Sequence, residues 1–282
     1  MENSEFQIQN DANSKTSKCI FRCLNNKCRN RISIRINSFF ALFPKIKLRV
    51  ISEIIKSFLN ENNAQTCFNN LKKELNQSIS LETINNIYGE IRNVIGKYYN
   101  ILYQSEILGE KDAHRNFSVD ESLFCHNQNG EDIWVLGIVD NISKDFRLEI
   151  TNQWNQQVLK KFITTYVETG NTIITEGWSG YNFNNNMHGY IRDMYIHGGG
   201  DFSLRLNSSS HIESIWSQLK AIIKKMYYII PFKNFGLFLW EVEWRIKKKN
   251  KNINEKISEL FEEWYLTYDM AEENFFDWEN FY

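Results

Sequence analysis

Three carboxylates stand where chemistry on an anionic substrate would need them. Asp120 interrupts the strand-like run Phe117-Ser118-Val119-Asp120-Glu121. A strand flanked by apolar residues rarely carries two acids without a reason. Glu176 closes the short apolar stretch Thr172-Ile173-Ile174-Thr175. Glu213 falls in the first turn of a strongly helical stretch that begins near Ser210. Three carboxylates brought to one place suit hard cations such as Mg²⁺ or Mn²⁺, which prefer oxygen ligands. Two such ions can activate a water or a 3′-hydroxyl and stabilise the leaving oxygen of a phosphodiester.

The elements that must position these groups are legible in the apolar pattern. Ile212, Ile215, Trp216, Leu219, Ile222 and Ile223 form one stripe at helix spacing. Glu213 and Lys220 are seven residues apart, so they lie two turns apart along one edge of that stripe. Lys220 could then hold a phosphate as a point charge. A plain alternative exists, because a Glu near a helix N-terminus also favours the macrodipole. Strands are expected at 117–124, 132–139 and 146–151, a helix at 155–167, then strands at 172–175 and 189–196. Helices are expected at 210–229, 235–248 and 252–270. Three strands, a helix, a strand and then helices is the element order of an RNase H-like α/β core on a mixed sheet. Asp140 also ends a strand, but Asp140-Asn141 suits a turn better than a ligand set. His197 and Asp201 flank three glycines; they could shape a cleft or belong to a surface turn. His211 is off the Glu213 face. Trp178 and Trp216 are expected in the core; Lys247–Lys251 could be a nuclear address or a phosphate contact, with a solvated helix end as the default.

Upstream, 46–58 is helical in pattern, a second helix is expected at 64–75, and a long one runs from Ser80, an N-cap candidate, to about Tyr103. Asn76–Ser80 is the turn before it, which gives a helix-turn-helix outline. Residues 104–116 have the composition of a linker. The chain has 282 residues, and its 33 Lys+Arg against 34 Asp+Glu give a formal net charge of −1. The charge is unevenly spread. Residues 1–112 hold 16 basic and 11 acidic side chains, 113–229 hold 10 and 12, and 230–282 hold 7 and 11. No acid lies between Asp11 and Glu53, a window that contains Arg22, Arg29, Arg31 and Arg35. Such a run is either a solvated arm or a phosphate-binding surface whose affinity comes from counterion release.

No apolar stretch approaches the roughly 20 residues a bilayer span requires. The polar N-terminus lacks the apolar core of a signal peptide, so an intracellular protein is expected. Five cysteines, an odd number, suggest free thiols or a metal site in place of a disulfide framework.

Four stretches in order carry a family resemblance: SVDE at 118–121, TEGWSGY at 175–181, IHGGGDF at 196–202 and SSSHIESIWSQLK at 208–220. FLWEVEWRI at 238–246 matches the block after the helix. The chain resembles a DDE transposase of the Merlin type and the related bacterial insertion-sequence transposases, over roughly 115–250. The 36 residues between Glu176 and Glu213 and the six between Glu213 and Lys220 are family traits.

The resemblance implies an RNase H-like catalytic core and two divalent ions, Mg²⁺ or Mn²⁺. It also implies double-stranded DNA as partner, both transposon ends and target, with DNA cleavage followed by strand transfer. It makes Asp120, Glu176 and Glu213 the metal-binding catalytic triad. Lys220 becomes a DNA contact, joined by Arg29, Arg31 and Arg35 of the basic segment. Assembly as a homodimer or larger on DNA is implied, with no membrane partner, and a nuclear location if the host is eukaryotic. Two departures stand out. Glu176 occupies a position that is usually Asp, so reduced or absent cleavage is expected. Relatives often carry a zinc ribbon with two cysteine pairs; here Cys23 and Cys28 resemble the second pair and only Cys19 precedes them, so structural zinc is not expected. The expected organisation is a disordered arm (1–18), a basic, degenerate zinc-ribbon-like segment (19–45), a helical DNA-binding region (46–108), the catalytic domain (113–250) and a C-terminal acidic helix and tail (251–282). A cleavage-deficient, domesticated DNA-binding protein that keeps this fold is the alternative.

Overall fold

The computed structural model describes residues 6–10, 19–24, 31–77, 79–109, 114–126, 130, 132–153, 155–176, 189–195, 210–226 and 235–269. Chain contacts divide it into two compact units: Met1–Tyr98 with Lys251–Tyr282, and Tyr99–Asn250.

The second unit is built on a five-stranded sheet. Strands β4 (Asn116–His126), β5 (Asp132–Asp140) and β6 (Phe146–Thr151) form an antiparallel meander. β7 (Thr172–Glu176) then pairs parallel with β4, and β8 (Ile191–Tyr195) pairs parallel with β7. The resulting order, β6-β5-β4-β7-β8, with only β5 running against the rest, is that of an RNase H-like fold. The period-2 alternation gives the sheet two apolar faces. Phe117, Val119, Leu136, Ile138 and Ile173 pack against Leu159, Phe162 and Ile163 of helix α4 (Gln156–Tyr166). Ile133, Val135, Val139, Phe146 and Leu148 pack against α5 (Ser210–Met226) and α6 (Phe235–Lys247). Asn155 starts α4 by accepting from the backbone N–H groups of Gln157 and Val158, both at 3.0 Å.

Within the stretch 104–116, expected as a linker, Leu108 is tied to the core. It is buried, its N–H donates to Tyr166 O at 2.8 Å, and its carbonyl accepts from Glu168 N at 3.0 Å. Its neighbour Ile107 stays exposed, so one apolar side chain of the two makes the anchor.

The first unit opens with a three-stranded antiparallel sheet, β1 (Phe6–Asn10), β2 (Cys19–Cys23) and β3 (Arg31–Ser33). Part of the expected disordered arm is thus a strand, since Phe6-Gln7-Ile8 alternates apolar and polar and pairs with β2. After a short 3-10 helix, Phe39–Leu42, come α1 (Leu48–Leu59), α2 (Ala64–Leu75) and α3 (Leu81–Ser105), as the helical pattern requires. Asn63 caps α2 through Thr66 N at 2.8 Å, and Asn76 ends it in the left-handed conformation at φ 49°. Ser80 caps α3 by accepting from Thr83 N at 3.1 Å, and the two hydroxyls are 2.9 Å apart. Thr83 thereby occupies the position at which a capping box would place Glu.

Helix α7 (Ile253–Asp269), expected as a separate acidic appendage, packs within the first unit. Its Trp264 meets Phe39 edge to face at 5.5 Å, and its Phe261 lies 5.5 Å from Phe40. Asn252 and Glu255 cap it reciprocally: Asn252 Oδ1 accepts from Glu255 N at 3.1 Å, and Glu255 Oε2 accepts from Asn252 N at 2.7 Å.

The second unit also carries buried charge. On α6, Arg245 grips Glu241 through Nε at 2.8 Å and Nη2 at 2.6 Å. Lys247 bridges Glu243 at 2.9 Å and Asp145 at 2.8 Å, and Tyr103 donates its hydroxyl to Glu243. Lys247 was expected at a solvated helix end, but its side chain is only 17% exposed because two carboxylates draw it in. Burial pushes the Glu243 carboxyl up, against the opposing pull of Lys247, the Tyr103 hydroxyl and Arg147. A carboxyl raised in the folded state binds protons more tightly there than in the unfolded chain. Its contribution to stability is therefore full below the ordinary value of 4.5 and declines as pH rises above it. Glu243→Gln should flatten this decline. Urea-unfolding midpoints of the two proteins between pH 4 and 7 will show it, and parallel curves would rule it out.

Candidate active site

The alternation that buries Phe117 and Val119 on the α4 side turns Ser118, Asp120 and Phe124 to the α5 side. On β7, Ile173 belongs to the α4-side core, so Ile174 and Glu176 face the other way. The parallel pairing matches Phe117 to Ile173 and Ser118 to Ile174. By the same alternation, Asp120 and Glu176, two residues further along each strand, fall on the face of Ser118 and Ile174.

Helix α5 crosses this face with Ile212, Ile215, Trp216 and Leu219 buried in the core. Glu213 and Lys220 flank that stripe, both exposed. The two lines of approach meet at Trp216, whose indole Nε1–H donates to Asp120 Oδ2 at 2.8 Å. Gly137, the cross-strand partner of Asp120, permits it. A Cβ at 137 would stand 2.7 Å from Ile212 Cδ1 and 2.7 Å from Trp216 Cη2, closer than such contacts occur.

The Asp120 carboxyl is raised above its ordinary value. Burial is the main cause, and the charges of Glu176 and Glu213 add to it; the Trp216 N–H and the Glu121 backbone N–H oppose them. The three carboxylates therefore share one electrostatic neighbourhood. Their donor set, all oxygen, suits Mg²⁺ or Mn²⁺, and a bound cation would relieve the repulsion Asp120 feels. Among the described residues, no group of three or more His, Cys, Asp or Glu side chains forms a ready-made metal site. Lys220 Nζ lies 5.4 Å from the centroid of the Phe124 ring, which steadies a cationic head beside the same strand.

Other residues singled out in the sequence fall elsewhere. Asp140 is buried in the β5–β6 turn. It accepts from Ile142 N at 2.8 Å, from Ser143 Oγ at 2.9 Å and from Arg115 Nη1 at 2.9 Å. That is a turn and ion-pair role, as its Asp-Asn context suggested. His211 Nε2 is 2.8 Å from Lys144 Nζ; burial first, then the Lys144 charge, keeps its pKa below the ordinary value. His197, Asp201, Trp178, the glycine run and most of TEGWSGY lie outside the described residues.

In the first unit, Arg31 is exposed on β3, directly opposite Arg22 of β2. Only the strand register reveals that these two basic residues stand opposite each other. Arg35 is a correction. Expected on DNA, it is buried, and its Nη1 and Nη2 donate to Phe43 O at 2.7 Å and Ile46 O at 2.5 Å. A guanidinium used to close two turns of backbone is committed to the fold. Arg29 and Cys28 lie outside the described residues, while Cys23 and Cys67 are buried free thiols. No helix among the described residues is long and apolar enough to cross a membrane.

Residues 112–247 match the family model of the ISXO2-like transposase domain, which supports a transposase function for this segment. The match contains Asp120, Glu176, Glu213 and Lys220. Among the solved structures that are similar is a chain of the cryo-EM structure of the simian T-cell lymphotropic virus intasome in complex with PP2A regulatory subunit B56 gamma. It is 13% identical, with 71% of this chain and 69% of that chain covered, at a TM-score of 0.37. No curated protein matches the chain.

The shared field can be measured in the metal-free protein. Glu176→Gln should lower the Asp120 pKa toward its ordinary 3.8, and Trp216→Phe should raise it further. Carbon-detected NMR titration of the Asp120 carboxyl reads both changes; an Asp120 pKa indifferent to Glu176 would separate the two carboxylates.

Proposed function

We propose that the chain is a DDE transposase of the Merlin type, which cuts double-stranded DNA at the ends of a mobile element and joins them to target DNA. The observation that carries this reading is the match of residues 112–247 to the ISXO2-like transposase domain, a stretch that folds as an RNase H-like sheet and includes Asp120, Glu176 and Glu213. Asp120, Glu176 and Glu213 would hold two divalent ions, Mg²⁺ or Mn²⁺. When bound, these supply an activated water or 3′-hydroxyl and stabilise the leaving oxygen.

The chain's own side chains do the rest. Trp216 keeps the Asp120 carboxylate charged and in place. Lys220, braced by Phe124, meets a phosphate oxygen near the cut as a point charge. Arg31, exposed on β3, offers a second, sequence-independent phosphate contact, with Arg29 in the same basic segment. Active assembly is as a homodimer or larger on DNA.

Glu176 favours a second reading. One methylene more than Asp moves the carboxylate by more than an ångström, while Mg²⁺ requires near-ideal octahedral geometry. The protein would then be a cleavage-deficient, domesticated DNA-binding protein.

Cleavage of cognate ends in Mg²⁺ and in Mn²⁺ separates the two. On the first reading, Asp120→Asn and Glu213→Gln each lower the rate by about a hundredfold or more, and Glu176→Asp raises it. On the second, the natural protein binds the ends without cutting them, and only Glu176→Asp cuts. Cleavage untouched by Asp120→Asn would overturn both assignments of the triad.

A further inference from the structure

The geometry points to Trp216 as the positioning residue for Asp120: its indole N–H fixes the carboxylate in the orientation that a cation bound at the three acids requires. This rests on Asp120 being a metal ligand. It adds that one turn of α5 delivers both a ligand, Glu213, and the group that aims a ligand on a different element.

The ring has little freedom. Trp216 is 6% exposed. Its benzo edge lies over Gly137, where any Cβ would collide with it at 2.7–2.8 Å. Phe124 meets it edge to face at 5.9 Å. The polar atom of the ring, Nε1, is 2.8 Å from Asp120 Oδ2. The bond is thus set by the packing of the ring against Gly137 and Phe124 and not by the swing of a long side chain.

The chemistry of the donor matters as much as its place. An indole N–H only donates and does not titrate. A Lys or protonated His in this position would hold Asp120 equally well but would repel the incoming cation. A hydroxyl could turn round and accept. A neutral, fixed, donor-only group favours the charged carboxylate while leaving the local field negative. That is the combination a cation site requires of the groups behind its ligands.

Two variants break the bond by different routes. Trp216→Phe keeps a ring and removes the donor. Gly137→Ala keeps the donor and displaces it. Mn²⁺ binding to the DNA-free full chain, read by electron paramagnetic resonance, should weaken about 10- to 100-fold in each, with circular dichroism and melting showing a folded protein. Should the Trp216→Phe variant fail to fold, benzothienylalanine in place of Trp216, which has the shape of Trp without its N–H, gives the same reading. A purely structural role for Trp216 would leave that analogue unaffected. If the variants bind Mn²⁺ within twofold of the natural protein while Asp120→Asn abolishes binding, the positioning role is overturned and the site stands. If Asp120→Asn also leaves Mn²⁺ binding unchanged, the ligand assignment fails first, and the inference with it.

Discussion

The close approach of helix α5 to the sheet at Gly137 is the constraint on which the candidate site depends. Glycine here serves proximity, not a left-handed backbone. Without a Cβ at 137, the indole of Trp216 can lie against β5 and still extend its N–H to Asp120 on the neighbouring strand. With the indole seated, the rest of the α5 stripe, Ile212, Ile215 and Leu219, falls onto the apolar face formed by Val135, Val139 and Leu148. That docking brings Glu213, one turn before Trp216, close enough for its charge, like that of Glu176, to act on Asp120. The apolar contacts and the polar constellation are one arrangement, because the same aromatic ring belongs to both.

The second unit handles its acids in two opposite ways. On α6, Glu241 has Arg245 and Glu243 has Lys247 as cationic partners. At Asp145, Lys247 and Arg147 outweigh burial and hold the carboxyl below the ordinary carboxylate range, whereas at Glu243 burial still prevails. Asp120 lacks such cationic partners among the groups that move its pKa. Its burial is offset only by neutral donors, an indole and a backbone N–H, while two further carboxylates press on it. Asp120 instead has neutral donors and other acids beside it, so nothing cationic among the described residues offsets the cost of burying its charge.

Much of this was legible in the sequence because it rests on periodicity. The alternation of β4 to β6, the stripe of α5 and the cap at Ser80 are local patterns, and the folded elements follow them within a few residues. The acids at 120, 176 and 213 could be picked out because each breaks or ends such a pattern. What escaped depends on pairings distant in sequence. Leu108 looked like part of a linker because its partners are at 166 and 168. Arg35 looked like one more basic residue in a basic run, and only the fold of 43–46 back toward it explains its burial. Trp216 was legible as core, but its hydrogen bond spans 96 residues and needed the glycine opposite to become possible.

The overall charge illustrates the same limit. A net of −1 argues against a nucleic-acid partner only if charge is spread evenly, and the structure shows that it is placed. Arg22 and Arg31 stand opposite each other across β2 and β3, while burial and the charges of Glu176 and Glu213 raise the Asp120 carboxyl. Like charges are gathered locally in each unit, and totals that nearly cancel say nothing of such local fields. The near-cancellation of basic and acidic totals therefore does not exclude a nucleic-acid partner.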